Sequence, residues 1–545
     1  MSFESWIELG VFLYFVGRWL FSKVSKEGEP AQPSVDTTAT PPDPSVFGLS
    51  DEAVNRSVML QQQMEVLAER GSRGVLARAR ARRLLSAFSG DEAFQPFAKA
   101  ITEHILPQLE EVDSAISAAI SQLQSAPGAM LVDPASMEEV DALLRGGELR
   151  IRLVDEWWGQ RAEPMAREVL GDADALGRAL QAPIMEFAER RALDFEPSVP
   201  VCAHWDHGLA LSQLFLGTGV APVLLPTRFA VDVGVWPVLA HEIGHSIYFA
   251  FPGLADEMFG ALRVEDADAD LDFSAYQPND DLIRAPMGRW LPELFADVIG
   301  ALMLGPGFVA AHRRELATPD EPINAVVAAA REGGGLDEHP PAHVRFKAVT
   351  AVLDEMGHHA LANSEWARWD AAHEHPEAIF LPGITGAYTA LPAEALLADV
   401  VRVVQTLLRT QYTALASMPL MSVPGLSFGR DLEERAAAVA TGLLEGRATT
   451  EDPRVVVAAA VAALEAEPEK AFGLPELVRR SILGIGTTER PSPKATAVPR
   501  TEASGGPAAD RRPAARWPSR EDWVEALLLS EVVLSRPSLL TGGPR

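Results

Sequence analysis

The sequence predicts a mainly α chain of the α+β type: a core with a small β-sheet, embedded in helical flanking domains. Three observations predict it. Residues 49–195 place apolar side chains at three- and four-residue intervals almost throughout, as in AVNRSVMLQQQMEVLAERG and FAKAITEHILPQLEEVDSAISAAISQLQS. That is the period of a helix with one buried face. Residues 196–240 break the period: VPVCAHWDHGLALSQLFLGTGVAPVLLPTRF has short apolar runs punctuated by Pro and Gly, which suggests strands. From about residue 290 to 480 helical spacing returns, with no internal repeat of fixed period.

The chain has 545 residues, more than one hydrophobic core usually serves, so two or more domains are expected. In order they are an N-terminal apolar segment (1–26), a disordered linker (27–48), a helical domain (49–195) and a core that holds the chemistry (196–430). A C-terminal helical region (431–486), a second disordered linker (487–518) and a terminal amphipathic helix with its tail (519–545) follow. The linkers are rich in Pro, Ala, Ser and Thr and cannot bury a core. The terminal helix REDWVEALLLSEVVL sits on a flexible leash, which suits docking to a partner protein or capping of its own body.

The first segment, WIELGVFLYFVGRWLF (Trp6 to Phe21), is apolar except for Glu8 and Arg18. The uncharged run between them falls well short of the roughly 20 residues a spanning helix needs. No Lys or Arg precedes it and no small-residue cleavage site follows, so it does not read as a secretory signal. Two readings stand. It is a short membrane anchor with its charges at the interfaces, or a helix that docks on the body or on a partner protein. Arg18, Lys23 and Lys26 follow the apolar run, so insertion would keep the body cytoplasmic. A cytoplasmic protein is expected, with membrane association resting on this segment alone.

The net charge of −29 argues against general nucleic-acid binding, because a phosphate backbone needs a positive surface. Cys202 is the only cysteine, so neither an internal disulfide nor a cysteine zinc site can form. A reducing compartment fits that count.

The chemistry concentrates in WPVLAHEIGHSIYFAF (Trp236 to Phe251). His241 and His245 are four apart, on one face of a helix, and can point two imidazoles at one metal. Glu242 follows the first histidine, where it can serve as general base toward a metal-activated water. Gly244 allows a neighbouring backbone to approach closely. A catalytic zinc takes three protein ligands. The third is expected from WLPELFADVIGALMLG (Trp290 to Gly305), a second apolar helix with Pro292 at its start. Glu293 and Asp297 are again four apart. Two carboxylates facing a core are costly without compensation. Zinc compensates Glu293, and Asp297 can accept the second ring N–H of a ligating histidine. The competing reading puts Glu293 in an exposed first turn and pairs Asp297 with an arginine.

HEIGH followed by ELFAD resembles the gluzincin clan of zinc metallopeptidases, whose pattern is HExxH with ExxxD or ExxAD downstream. The resemblance implies a zincin-like metallopeptidase core, with Zn2+ held by His241, His245 and Glu293. It further implies Glu242 as the base and Asp297 as the partner of a ligand histidine. EHPPAHVRF (Glu338 to Phe346) is similar to the HPPxxxR element of the branch that includes CAAX-prenyl proteases and bacterial heat-shock membrane proteases. There His339 and Arg345 would lie at the cleft, near the zinc or the oxyanion. The alternative for this element is a surface turn with one buried arginine. The resemblance spans about residues 200–350. It departs from the branch in lacking a flanking pair of hydrophobic transmembrane helices and in having an acidic insert, Ala255 to Asp281. That insert is a solvated loop or, if close to the cleft, a field favouring basic substrates.

The activity implied is hydrolysis of peptide bonds in a protein or peptide substrate. The alternative is a peptidase-like scaffold that binds partners through its helical flanks and terminal helix without turnover. HWDH (His204 to His207), His358–His359 and HEHPE (His373 to Glu377) read as structural or surface features rather than metal pairs. Tyr276 and Tyr388 are candidate oxyanion donors.

Overall fold

The computed structural model describes residues 51–90, 94–125, 134–196, 198–205, 210–211, 215, 217–264, 280–317, 326–329, 336–373, 375–383 and 388–482. The N-terminal apolar segment, both linkers, the terminal amphipathic helix and Tyr276 lie outside them. In chain order the first helices are α1 (Asp51–Ala87), α2 (Gln95–Ala100), α3 (Leu106–Ser125), α4 (Pro134–Gln160) and α5 (Pro164–Arg191). Strands β1 (Val199–Trp205), β2 (Ala210–Leu211) and β3 (Val220–Pro226) follow, then α6 (Leu239–Ala250), α7 (Leu254–Leu262), α8 (Asp280–Leu304) and α9 (Pro306–Leu316). The remainder is α10 (Ala342–Glu355), α11 (His359–His373), β4 (Ala378–Pro382), β5 (Tyr388–Pro392), α12 (Ala393–Arg409), α13 (Arg430–Leu444), α14 (Pro453–Ala466) and α15 (Leu474–Ile482). The protein is mainly helical with a small sheet.

The chain divides into two compact units, 1–87 with 101–152, and 88–100 with 153–545. The division runs through the stretch 49–195 that the sequence groups as one helical domain. In the smaller unit α1 packs along α3, burying Leu67, Ala81 and Leu84 with Leu109 and Val112. Arg70 pairs with Asp141 at 2.9 Å and Arg73 hydrogen-bonds Glu148 at 3.0 Å, tying α1 to α4.

The larger unit holds the sheet and the motif helix. β1 and β3 pair in parallel from Val199↔Val220 to Trp205↔Pro226, and β2 adds antiparallel to β3, giving the order β1-β3-β2. β3, VAPVLLP, is apolar throughout and buried along its whole length. α5 packs on β1 and on α6. A 3₁₀ segment, Val233–Val238, leads into α6 and is pinned by Trp236, which stacks on Phe229 at 4.7 Å and donates its indole N–H to the Phe229 carbonyl at 2.7 Å.

α8 is the axis of this unit, packed against α6, α10 and α12. It departs from expectation at its start: it begins at Asp280, so Pro286 and Pro292 lie inside it. Each proline withholds one N–H from the helix ladder. Burial of Met287, Trp290, Leu291 and Leu294 on the core offsets that loss. The acidic insert is also not one loop. Its first part forms α7, with Leu254 and Met258 buried, and 265–279 lie outside the described residues. The β4–β5 hairpin, paired from Ala378↔Pro392 to Pro382↔Tyr388, interrupts a region whose spacing looked helical. No helix among the described residues is long and apolar enough to cross a membrane.

Candidate metal centre

Two helices build the site. α6 presents His241 and His245 one turn apart, and α8 presents Glu293 and Asp297 one turn apart. The helices meet backbone to backbone at Gly244. A Cβ there would stand 2.7 Å from Ala296 Cα and 2.9 Å from its carbonyl oxygen, so only glycine permits this approach. The tight crossing brings the four polar side chains together in an otherwise apolar core.

The donor atoms converge. His241 Nε2 lies 3.1 Å from His245 Nε2 and 3.3 Å from Glu293 Oε2, and His245 Nε2 lies 3.1 Å from Glu293 Oε1. All three ligand atoms fall within 4.8 Å of one another, and they form the one such group of metal-ligating side chains among the described residues. A tetrahedral zinc with N and O ligands at 2.0–2.1 Å sets its donors about 3.3 Å apart. Two imidazole nitrogens at 3.1 Å also require a proton or a cation between them. Glu293 Oε2 is buried and accepts no hydrogen bond. The residues fit zinc by donor type, spacing and this unsatisfied oxygen.

Asp297 stands behind the ligands, fully buried. Its Oδ1 is 2.8 Å from His241 Nδ1, which directs the other ring nitrogen, Nε2, toward His245 and Glu293. It also receives Arg345: Nη2 donates to Oδ1 at 2.7 Å and Nε to Oδ2 at 2.9 Å. Asp297 thus serves a histidine and an arginine at once, and Glu293 is buried rather than in an exposed turn. The HPP sequence delivers these groups. Pro341 is extended and opens α10, so Arg345 falls in the first turn facing α8, while His339 stays outside the helix.

Arg345 lies beside the candidate ligands: while bonded to Asp297, its Nη2 is 3.2 Å from His241 Nδ1 and 3.6 Å from Glu293 Oε2. His339 stands at the rim, its side chain 57 % exposed, with Nε2 3.7 Å from Glu293 Oε1. Asp337 orients it, taking the His339 backbone N–H at 3.0 Å and lying 2.6 Å from its Nδ1. Glu242 is buried at 4 % exposure on α6.

The electrostatics follow from burial and proximity. Burial presses against the His241 cation, but Asp297 and Glu293 prevail and hold its pKa up at about 10. Burial would raise Glu293 and Asp297. Instead His245 and His241 keep Glu293 well below the carboxylate range, and Arg345 does the same for Asp297. Burial opposes the Arg345 charge and Asp297 foremost sustains it, keeping the guanidinium protonated. Desolvation likewise opposes charge on His339, and its hydrogen bond to Asp337 with nearby Glu293 raises it to about 9.

Two residues of the site have no motif in the sequence. His312 on α9 is fully buried, with Nε2 3.3 Å from Asp297 Oδ1, its ring stacked on Phe308 at 5.1 Å and no hydrogen bond at either nitrogen. Burial foremost lowers its pKa, with Asp297 opposing. Asp337 precedes HPP by two residues, and only that proximity could have flagged it.

The other sequence candidates lie elsewhere. His358 and His359 pair with Glu433 at 3.6 Å and Asp354 at 2.6 Å. His373 stacks on Trp369 at 3.8 Å, and His375 pairs with Asp370 at 2.8 Å. His204 sits in β1, its backbone bonded to Gln160, and His207 lies outside the described residues. Tyr388 is 54 % exposed on β5. Compared with protein families, with characterised proteins and with solved structures, the chain matches none.

Proposed function

We propose that the protein is a zinc-dependent metalloendopeptidase of the gluzincin type, with a zincin-like core and Glu242 as general base. One observation supports it above the rest: two imidazole nitrogens and a carboxylate converge from two helices at the spacing one zinc needs, and a buried glutamate follows the first histidine. His241, His245 and Glu293 would hold the ion. When bound, zinc supplies a Lewis acid that polarises a scissile carbonyl and acidifies water.

The chain's own residues do the rest. Asp297 accepts the Nδ1 proton of His241 and so fixes its tautomer. Arg345 grips both oxygens of Asp297, keeping that carboxylate ionised and in place. Glu242 takes a proton from the attacking water and returns it to the leaving amine. His339, held by Asp337 at the rim, donates toward the developing oxyanion.

The test is a proteome extract incubated with wild type or with Glu242→Gln, with new peptide termini counted by mass spectrometry. New termini from wild type alone, with zinc retained in both, support the reading. No new termini from zinc-loaded wild type would favour the scaffold.

A further inference from the structure

Arg289 lies one turn before Glu293 on α8, so Arg289, Glu293 and Asp297 form one stripe along the helix, with about 6 Å between successive Cβ atoms. It is half-buried, and its Nε is buried without a hydrogen-bond partner. Among the described residues its guanidinium makes no hydrogen bond and no ion pair. That is an anomaly, because a buried donor of a charged group costs free energy when left unmade. Its surroundings are the mouth of the site. Arg289 is close enough to Asp337 to favour that carboxylate's charge, Asp337 lies 2.6 Å from His339, and His339 Nε2 lies 3.7 Å from Glu293. Asp337 turns its Oδ1 to the His339 backbone N–H and ring, and it forms neither a hydrogen bond nor an ion pair with Arg289.

We propose that Arg289 anchors a carboxylate subsite beside the metal centre, receiving an anionic group of the substrate next to the scissile bond. The inference rests on the peptidase reading and names its substrate class: peptides with an acidic side chain or a free C-terminus at that subsite. A guanidinium fork is suited to bidentate recognition of a carboxylate. Arg345 is committed to Asp297 and His339 to Asp337, so in a chain of net charge −29 Arg289 is the cation beside the site whose guanidinium has no hydrogen-bonded or ion-paired carboxylate among the described residues. The acidic insert would favour basic substrates instead, so the two expectations oppose each other.

Binding to the full-length, zinc-loaded Glu242→Gln protein tests the subsite without turnover. Isothermal titration uses four peptide pools of one length: Asp/Glu-containing or Asn/Gln-containing, each with a free or an amidated C-terminus. The expected result is at least tenfold tighter binding of one anionic class. The side-chain and C-terminal arms show which carboxylate is read. Arg289→Gln should abolish the preference while neutral peptides bind within twofold of before, and Arg289→Lys should keep part of it. Zinc content and thermal unfolding of both variants verify the fold. Equal binding of anionic and neutral pools, no binding at all, or a preference unchanged in Arg289→Gln would overturn the subsite. If wild type cleaves nothing while the Arg289-dependent binding persists, the peptidase reading fails and the subsite stands.

Discussion

Asp297 is the residue on which the site's order depends. It is fully buried and joins His241 on one side to Arg345 on the other. Removing its charge in Asp297→Asn takes from buried Arg345 its bidentate partner and leaves only Glu293 at 3.6 Å, a loss of about 3 kcal/mol. Urea unfolding should show that loss, and competition with a chelating dye should show zinc affinity falling about 10- to 100-fold. Unchanged stability would mean that Arg345 finds another partner. A second residue-scale prediction concerns Asp172 on α5, which is 1 % exposed and hydrogen-bonded by Arg479 Nε at 2.6 Å. Burial foremost raises its pKa to about 6, against an ordinary value of 3.8, with Arg479 opposing. The sign follows: the folded state favours the protonated carboxyl, so this stabilising contribution is full below pH 3.8 and is lost as pH rises through 6. Between pH 5 and 7 the loss is about 1 kcal/mol, and Asp172→Asn should remove that slope in denaturant titrations at the two pH values.

At the scale of elements, the site is the crossing of α6 and α8, and Gly244 sets how close they come. Gly244→Ala inserts a methyl against the Ala296 backbone, which cannot yield as a side chain can. A cost of about 1–3 kcal/mol is expected. The larger effect should be on the metal, because the helices that separate carry the two histidines and Glu293 respectively. Zinc content per folded chain, measured after gel filtration, should drop well below that of wild type; full retention would show that the crossing tolerates the shift. This scale also shows what was legible. His241, His245, Glu293 and Asp297 could be read because each pair is a local i, i+4 spacing on an apolar helix. The destination of Arg345 could not, since it depends on how α10 packs against α8. His312 sits on α9 with no motif around it, and Asp337 is marked only by standing two residues before His339. The start of α8 was misplaced because Pro292 has the form of a helix-opening residue, and core burial overrode that local signal.

Across the whole molecule, composition and periodicity gave the helical character and the short strands before the motif helix, both seen in the structure. The hairpin at β4–β5 was missed because Pro- and Gly-bounded runs of five residues are too short to show a period within a helical region. The division into two units has no counterpart in composition, since no linker-like stretch marks residues 87, 100 or 152. The proposed function rests on one constellation: three candidate metal ligands from two helices, a glutamate beside the first, and an aspartate behind it. The most direct measurement is the metal content of full-length protein purified without chelators, by inductively coupled plasma mass spectrometry, for wild type, Glu242→Gln and Glu293→Gln. The account predicts about one zinc per chain in wild type and Glu242→Gln and a marked loss in Glu293→Gln. Zinc-free wild type, or equal zinc in Glu293→Gln, would contradict it.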